Sequence, residues 1–198
     1  MQTAGSTRSI DILALPLEDF GVLQKRYQSL AIPKRAKAVL ADAEPALHVA
    51  DTVLNSLQTN PKIRTTLEKV SKNTVLTSKM RPSEARNMLM DGNHDFIETT
   101  RKKLQAWRKT MERLAGGEGV INEAGMEYVP GHAPVALAFA CISTTAQYLS
   151  IMQLALMDMA KTDAKNADKH RANLAKIRRC ATLISDCENA SGIATQVH

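Results

Sequence analysis

The spacing of apolar residues constrains this chain more than any other feature. Ala36, Leu40, Ala43, Leu47, Ala50, Leu54 and Leu57 recur at steps of three and four. So do Ile63, Leu67, Val70, Thr74 and Thr77, then Ile97, Thr100, Leu104, Trp107, Met111 and Leu114, then Leu174, Ile177, Ala181 and Ile184. Steps of three and four place side chains on one side of an α-helix, and several of these stripes keep the seven-residue phase of coiled-coil packing. The expected fold is all-α: a multi-helix bundle of five to seven helices.

The breaks between stripes fit that reading. A short amphipathic helix is expected over 17–30, with Leu17, Phe20, Leu23, Tyr27 and Leu30 on one face. The stripe from Ala36 to Leu57 holds phase through Pro45, so either one helix kinks there or a second helix starts with Pro45 in its first turn. Asn60-Pro61 reads as a helix start, an N-cap residue followed by proline at the first helical position, and that helix is expected to run to about Lys79. Arg81-Pro82-Ser83 marks the next break. Residues 83–115 read as helix, interrupted at Asp91-Gly92-Asn93.

Five of the nine glycines fall between 116 and 131, which predicts a long loop over 116–133. Val120-Ile121-Asn122 and Met126–Val129 flank Glu123-Ala124-Gly125 there, consistent with a small β-hairpin. Residues 134–157 contain no Lys, Arg, Asp or Glu. Ser143, Thr144, Thr145, Gln147, Ser150 and Gln153 are too many polar groups for a lone lipid-facing span. This stretch is therefore expected to be the central helix of the bundle, and no membrane span is expected. A last helix over roughly 163–190 should end near Ser191-Gly192. The expected organisation is a flexible arm over 1–16, one helical domain over 17–190 and a tail over 191–198.

Charge gives the lead on function. The net charge is +6, and the cations are clustered. Residues 25–37 carry Lys25, Arg26, Lys34, Arg35 and Lys37 with no acid among them. Residues 101–113 carry Arg101, Lys102, Lys103, Arg108, Lys109 and Arg113 against Glu112 alone, and residues 161–179 carry seven cations against Asp163 and Asp168. Cations lying off the apolar stripes leave one side of a helix to pack and the other to meet phosphates. The expected nucleic-acid contacts are Lys25, Arg26, Lys34, Arg35, Arg101, Lys102, Lys109, Lys169, Arg178 and Arg179. Aromatic residues are few, 4%, which argues against a base-stacking platform. The expected binding is therefore without sequence preference.

Heptad stripes and nine methionines also suit packing against a second copy or another helical protein. The first expectation is thus a non-enzymatic assembly protein, coat- or packaging-like, that self-associates and holds nucleic acid. The alternative is a protein–protein interaction module such as an effector, adaptor or chaperone-like subunit.

No nucleophile elbow, P-loop, dinucleotide fingerprint or zinc spacing is present, so no catalytic residue, cofactor or metal is assigned. Asp91, His94, Asp95 and Glu98 come closest to a metal cluster, but ligands converging from elsewhere are missing, and Glu98 has a plainer role as an i,i+4 partner of Lys102. Cys141, Cys180 and Cys187 are odd in number and show no framework spacing. They read as small buried hydrophobes in a reducing, cytoplasmic setting. The polar opening residues lack an apolar signal region, though they leave a signal-peptide-independent route of secretion open.

Overall fold

The computed structural model describes residues 11–14, 19–75, 96–118, 120–121, 127–128 and 135–192, with side chains at all of these except 71–75, 120–121, 127–128 and 135–147. Six α-helices account for most of them: α1 (Phe20–Gln28), α2 (Ile32–Gln58), α3 (Pro61–Val75), α4 (Phe96–Ala115), α5 (Val135–Thr162) and α6 (Ala167–Ser191). A 3₁₀ turn, Ala164–Asn166, joins α5 to α6. The all-α bundle expected from the stripes is the fold observed.

Local chemistry sets the helix ends. Asp19 caps α1, its carboxylate accepting from the Gly21 amide at 2.8 Å. Asn60 caps α3 in the same way, accepting from the Lys62 amide at 3.0 Å, with Pro61 in the first helical position. Pro33 stands in the first turn of α2. Its ring would clash with the carbonyl four residues back in a continuous helix, so the chain turns an elbow between α1 and α2. Gly192 ends α6 with φ of 68°, a left-handed conformation open to glycine.

Pro45 neither ends nor starts a helix: α2 runs through it unbroken. The carbonyl that loses its partner belongs to Ala41, which lies on the exposed side of α2, where solvent can replace the missing donor. The stripe on the opposite side stays packed.

Four helices form the bundle proper. α2 packs against α4 and α6, and α5 packs against the same two, so α2 and α5 stand diagonally, as do α4 and α6. Neighbours run antiparallel. Arg101 meets Asn55 and Gln58 while Arg108 meets Glu44, so α4 descends as α2 rises. Arg35 at the start of α2 meets Ser191 at the end of α6. α3 lies outside on α5, with Thr66 on Met159 and Lys62 near Asp163. α1 lies outside on α6.

The core follows the stripes. Val39, Leu47, Leu54 and Leu57 of α2, Leu104, Trp107, Met111 and Leu114 of α4, Ile151, Met152, Leu156 and Met159 of α5, and Ile177 and Ile184 of α6 are all buried. Phe96 and Tyr148 bring α4 and α5 together with ring centroids 5.7 Å apart. Ala36, Ala43, Ala46 and Ala50 are fully buried on α2, and their small side chains let this helix approach its neighbours closely.

Three details differ from expectation or extend it. Ile12, inside the expected flexible arm, is 1% exposed and belongs to the core. Over 148–162, α5 is not apolar and buried on all sides: Ser150, Leu154, Met157 and Lys161 form an exposed line along it. Ten side chains along α2 are buried as well, and the side chains of α5 over 135–147 lie outside the described residues. Val120 pairs with Tyr128 and Ile121 with Glu127 in antiparallel fashion. The turn of the expected hairpin, 122–126, lies outside the described residues, as do the ends expected near Lys79, Arg81–Ser83 and Asp91–Asn93.

Candidate nucleic-acid interface

The fold divides the ten expected cations largely by side-chain type, Arg178 being the exception. Arginine presents a planar fork of donors that can clip one helix to another, whereas lysine carries a compact, strongly hydrated point charge. Arg26 donates to Asp42 at 2.9 Å, beside Tyr27, whose hydroxyl donates to the other Asp42 oxygen at 2.6 Å. Arg35 is tied to backbone carbonyls. Arg101 donates to Glu98 at 2.6 Å, to Asn55 at 2.8 Å and to Gln58 at 3.2 Å. Arg179 is half-buried, and its charge opposes the rise that burial gives the Asp186 carboxyl.

The other six behave differently. Lys25, Lys34, Lys102, Lys109, Lys169 and Arg178 are exposed and make no ion pair among the described residues. Lys102 and Lys109 lie on the side of α4 opposite Leu104 and Met111. Lys25 and Lys34 flank the α1–α2 elbow, Lys169 lies in the first turn of α6 and Arg178 on its outer side. They therefore stand on separate elements rather than in one cluster. Glu98 pairs with Arg101 one turn on, not with Lys102, which corrects the expected i,i+4 pair. Asp91, His94 and Asp95 lie outside the described residues.

Arg108, which the charge pattern singled out only as part of a run, forms the second clip between α4 and α2. Its Nε and Nη2 donate to Glu44 at 3.2 and 3.0 Å, and Nη2 lies 3.8 Å from Asp51. Burial raises the Asp51 carboxyl above its ordinary range, against the pull of Arg108 and Arg101. Arg101 and Arg108 are seven apart on α4, and so are Gln58 and Asp51, one partner of each, on α2, so the clips repeat with the heptad.

Two polar clusters escaped the sequence reading. At the α5–α6 corner, Asp163 Oδ2 lies 3.1 Å from His170 Nε2 and accepts from Asn166 Nδ2 at 3.1 Å, with Lys62 Nζ 3.9 Å from Oδ1. His170 is 2% exposed. These hydrogen bonds hold the Asp163 carboxyl below its ordinary range. The signal was present: His170, Asn173, Ile177, Cys180, Ile184, Cys187 and Ser191 step by three and four along α6 and are all buried, so the inward seam starts a turn before Leu174.

The second cluster is the Glu188 carboxyl, 2% exposed. It lies near the Trp107 indole, yet Glu188 Oε1 and Trp107 Nε1 close no hydrogen bond. Cys180 and Cys187 are free and buried as expected, and burial pushes the Cys180 thiol up to about 12, which keeps it protonated and unreactive.

Among the described residues no group of three or more His, Cys, Asp or Glu side chains is arranged to hold a metal. No helix there is long and apolar enough to cross a membrane. No family model, no curated protein and no solved structure matches this chain.

Proposed function

We propose that this protein is a helical assembly subunit that self-associates and binds nucleic acid through phosphates, without reading sequence. One observation carries the reading. The arginines of α1, α2 and α4 engage the molecule's own acids and carbonyls, while Lys25, Lys34, Lys102, Lys109, Lys169 and Arg178 remain exposed and unpaired among the described residues. The acids Asp42, Glu98 and Glu44 are thereby partly neutralised, which leaves the exposed cations to carry the positive excess. Exposed cations of this kind release counterions from a polyanion on binding.

Titration of a single-stranded RNA and a duplex DNA at two ionic strengths tests it. Each contacting cation contributes about 0.9 to the slope of log affinity against log salt, so the expected slope is roughly −2 to −5 with little difference between sequences. Absence of binding to either polymer at low salt overturns the proposal.

A second reading, a protein–protein interaction module, is favoured by α5. Leu154 and Met157 are 42% and 38% exposed, in line with exposed Ser150 and Lys161. Substituting both with Glu would lower the native mass, or release a helical partner, if that line is a contact surface. An unchanged native mass and no lost partner would remove this reading.

A further inference from the structure

The last two turns of α6 gather the bundle at three successive points. Cys187 faces Tyr27 of α1, Glu188 faces Trp107 of α4, and the Ser191 carbonyl accepts from Arg35 of α2 at 3.0 Å. Glu188 is the anomaly among them. α4 and α6 are diagonal, so the carboxyl and the indole meet inside the core rather than on its rim. Glu188 Oε1 is buried with no hydrogen-bond partner, and no cation among the described residues pairs with this carboxyl, so ionisation there goes uncompensated. We propose that Glu188 is a proton-operated lock: with its proton on, the neutral carboxyl lets the end of α6 close against Trp107, and with the proton off, the buried charge loosens that end and its hold on α1 and α2.

Among the described residues, the groups at this end of the bundle leave the charge uncompensated. On α1 Tyr27 meets the neighbouring Cys187, and its hydroxyl is committed to Asp42. On α2 the charged groups bound to this end are Asp42, held by Arg26, and Arg35, whose donors are taken by backbone carbonyls. On α4 it is Trp107, while the next residue, Arg108, turns to Glu44 and Asp51. Along α5 the sequence from 135 to 157 holds no Asp, Glu, Lys, Arg or His; its titratable residues there are Cys141 and Tyr148. On α6 itself the nearest are Cys187, Asp186 and Arg179, and Arg179 acts on Asp186.

Burial accordingly raises the Glu188 carboxyl to about 8, with the Trp107 indole opposing the rise. An unfolded chain returns this carboxyl to its ordinary value of 4.5. Between those limits the folded protein holds a proton that the unfolded chain has released. The contribution of Glu188 to stability is therefore greatest below the window, falls as pH rises through it, and levels off above it.

Trp107 is the one tryptophan of the chain, so its emission reports this site alone. The experiment compares the protein with Glu188→Gln, which keeps shape and removes the charge. Expected are a fall in the melting temperature of the parent by roughly 5 °C or more between pH 5.5 and 8.5, a clearly smaller fall in the variant, and a pH transition in Trp107 emission of the folded parent that the variant lacks. Equal falls in both proteins, or an emission independent of pH, overturn the proposal. Should the variant fail to fold, the emission titration of the parent decides alone.

Discussion

Arg35 Nη1 donates to the carbonyl of Ser191 at 3.0 Å, joining the first turn of α2 to the last turn of α6 across 156 positions of sequence. The same guanidinium donates to Leu30 O from Nε at 3.2 Å and Nη2 at 3.0 Å, and to Gln28 O at 3.3 Å. One cation thus satisfies the carbonyls left at the ends of both α1 and α6, where the helix dipoles are negative.

Arg35→Ala should therefore destabilise the protein by about 1–3 kcal/mol, the range for stranding hydrogen-bonding groups in a half-buried site. Arg35→Lys should recover little of it, because an ammonium cannot fork across three carbonyls. Chemical denaturation measures the loss, and faster amide exchange at the ends of α1 and α6 would locate it.

Lysine and arginine substitutions should separate on binding. Lys102→Ala with Lys109→Ala should leave stability within about 0.5 kcal/mol and make the salt slope for nucleic acid shallower by about 1.8, two contacts' worth. Arg108→Ala should do the reverse. It removes a two-pronged contact with Glu44 and takes from Asp51 the nearer of its two arginines, for a loss of about 1 kcal/mol, with the salt slope unchanged. Denaturation and salt titration of the same two proteins check both halves.

The fold was legible because the helices carry their own periodicity: Leu47, Leu54, Leu104, Trp107 and Ile177 all point inward where their spacing puts them. The candidate interface was less so. A run of cations in sequence records which residues are basic, not whether an acid waits on a neighbouring helix. Arg101 and Arg108 meet partners 43 to 64 positions away, and no local pattern registers that distance. Glu188 was hidden for the opposite reason, since an acid beside an apolar stripe reads as exposed until a tryptophan from a diagonal helix covers it.

Tyr27 and Arg26 share the two oxygens of Asp42, and this is the main polar fastening of α1. Tyr27→Phe keeps the ring in its buried site and deletes a 2.6 Å hydrogen bond, so the expected loss is about 1 kcal/mol. Asp42→Ala deletes both contacts and should loosen α1 further. Greater proteolytic cleavage near the α1–α2 elbow in the second variant than in the first would verify the order.

Asp163 and Glu188 should give stability an optimum in mildly acidic solution. The Asp163 carboxyl, held down by His170 and then Asn166, lies below its ordinary value of 3.8 when folded. A lowered acid contributes its stability above the unfolded value and loses it as pH falls through the folded one, so its window lies below about pH 4. Glu188 acts the other way, weakening the fold as pH rises from 4.5 toward 8. Between the two windows, near pH 4 to 5, the folded state keeps the Asp163 charge and the Glu188 proton together. Asp163→Asn should abolish much of the acid limb and leave the upper limb in place, because an amide at 163 no longer draws on a charge to hold the corner of α5 and α6. Melting temperatures of the parent and this variant from pH 3 to 9 check it: parallel profiles would show that the corner owes nothing to the carboxylate.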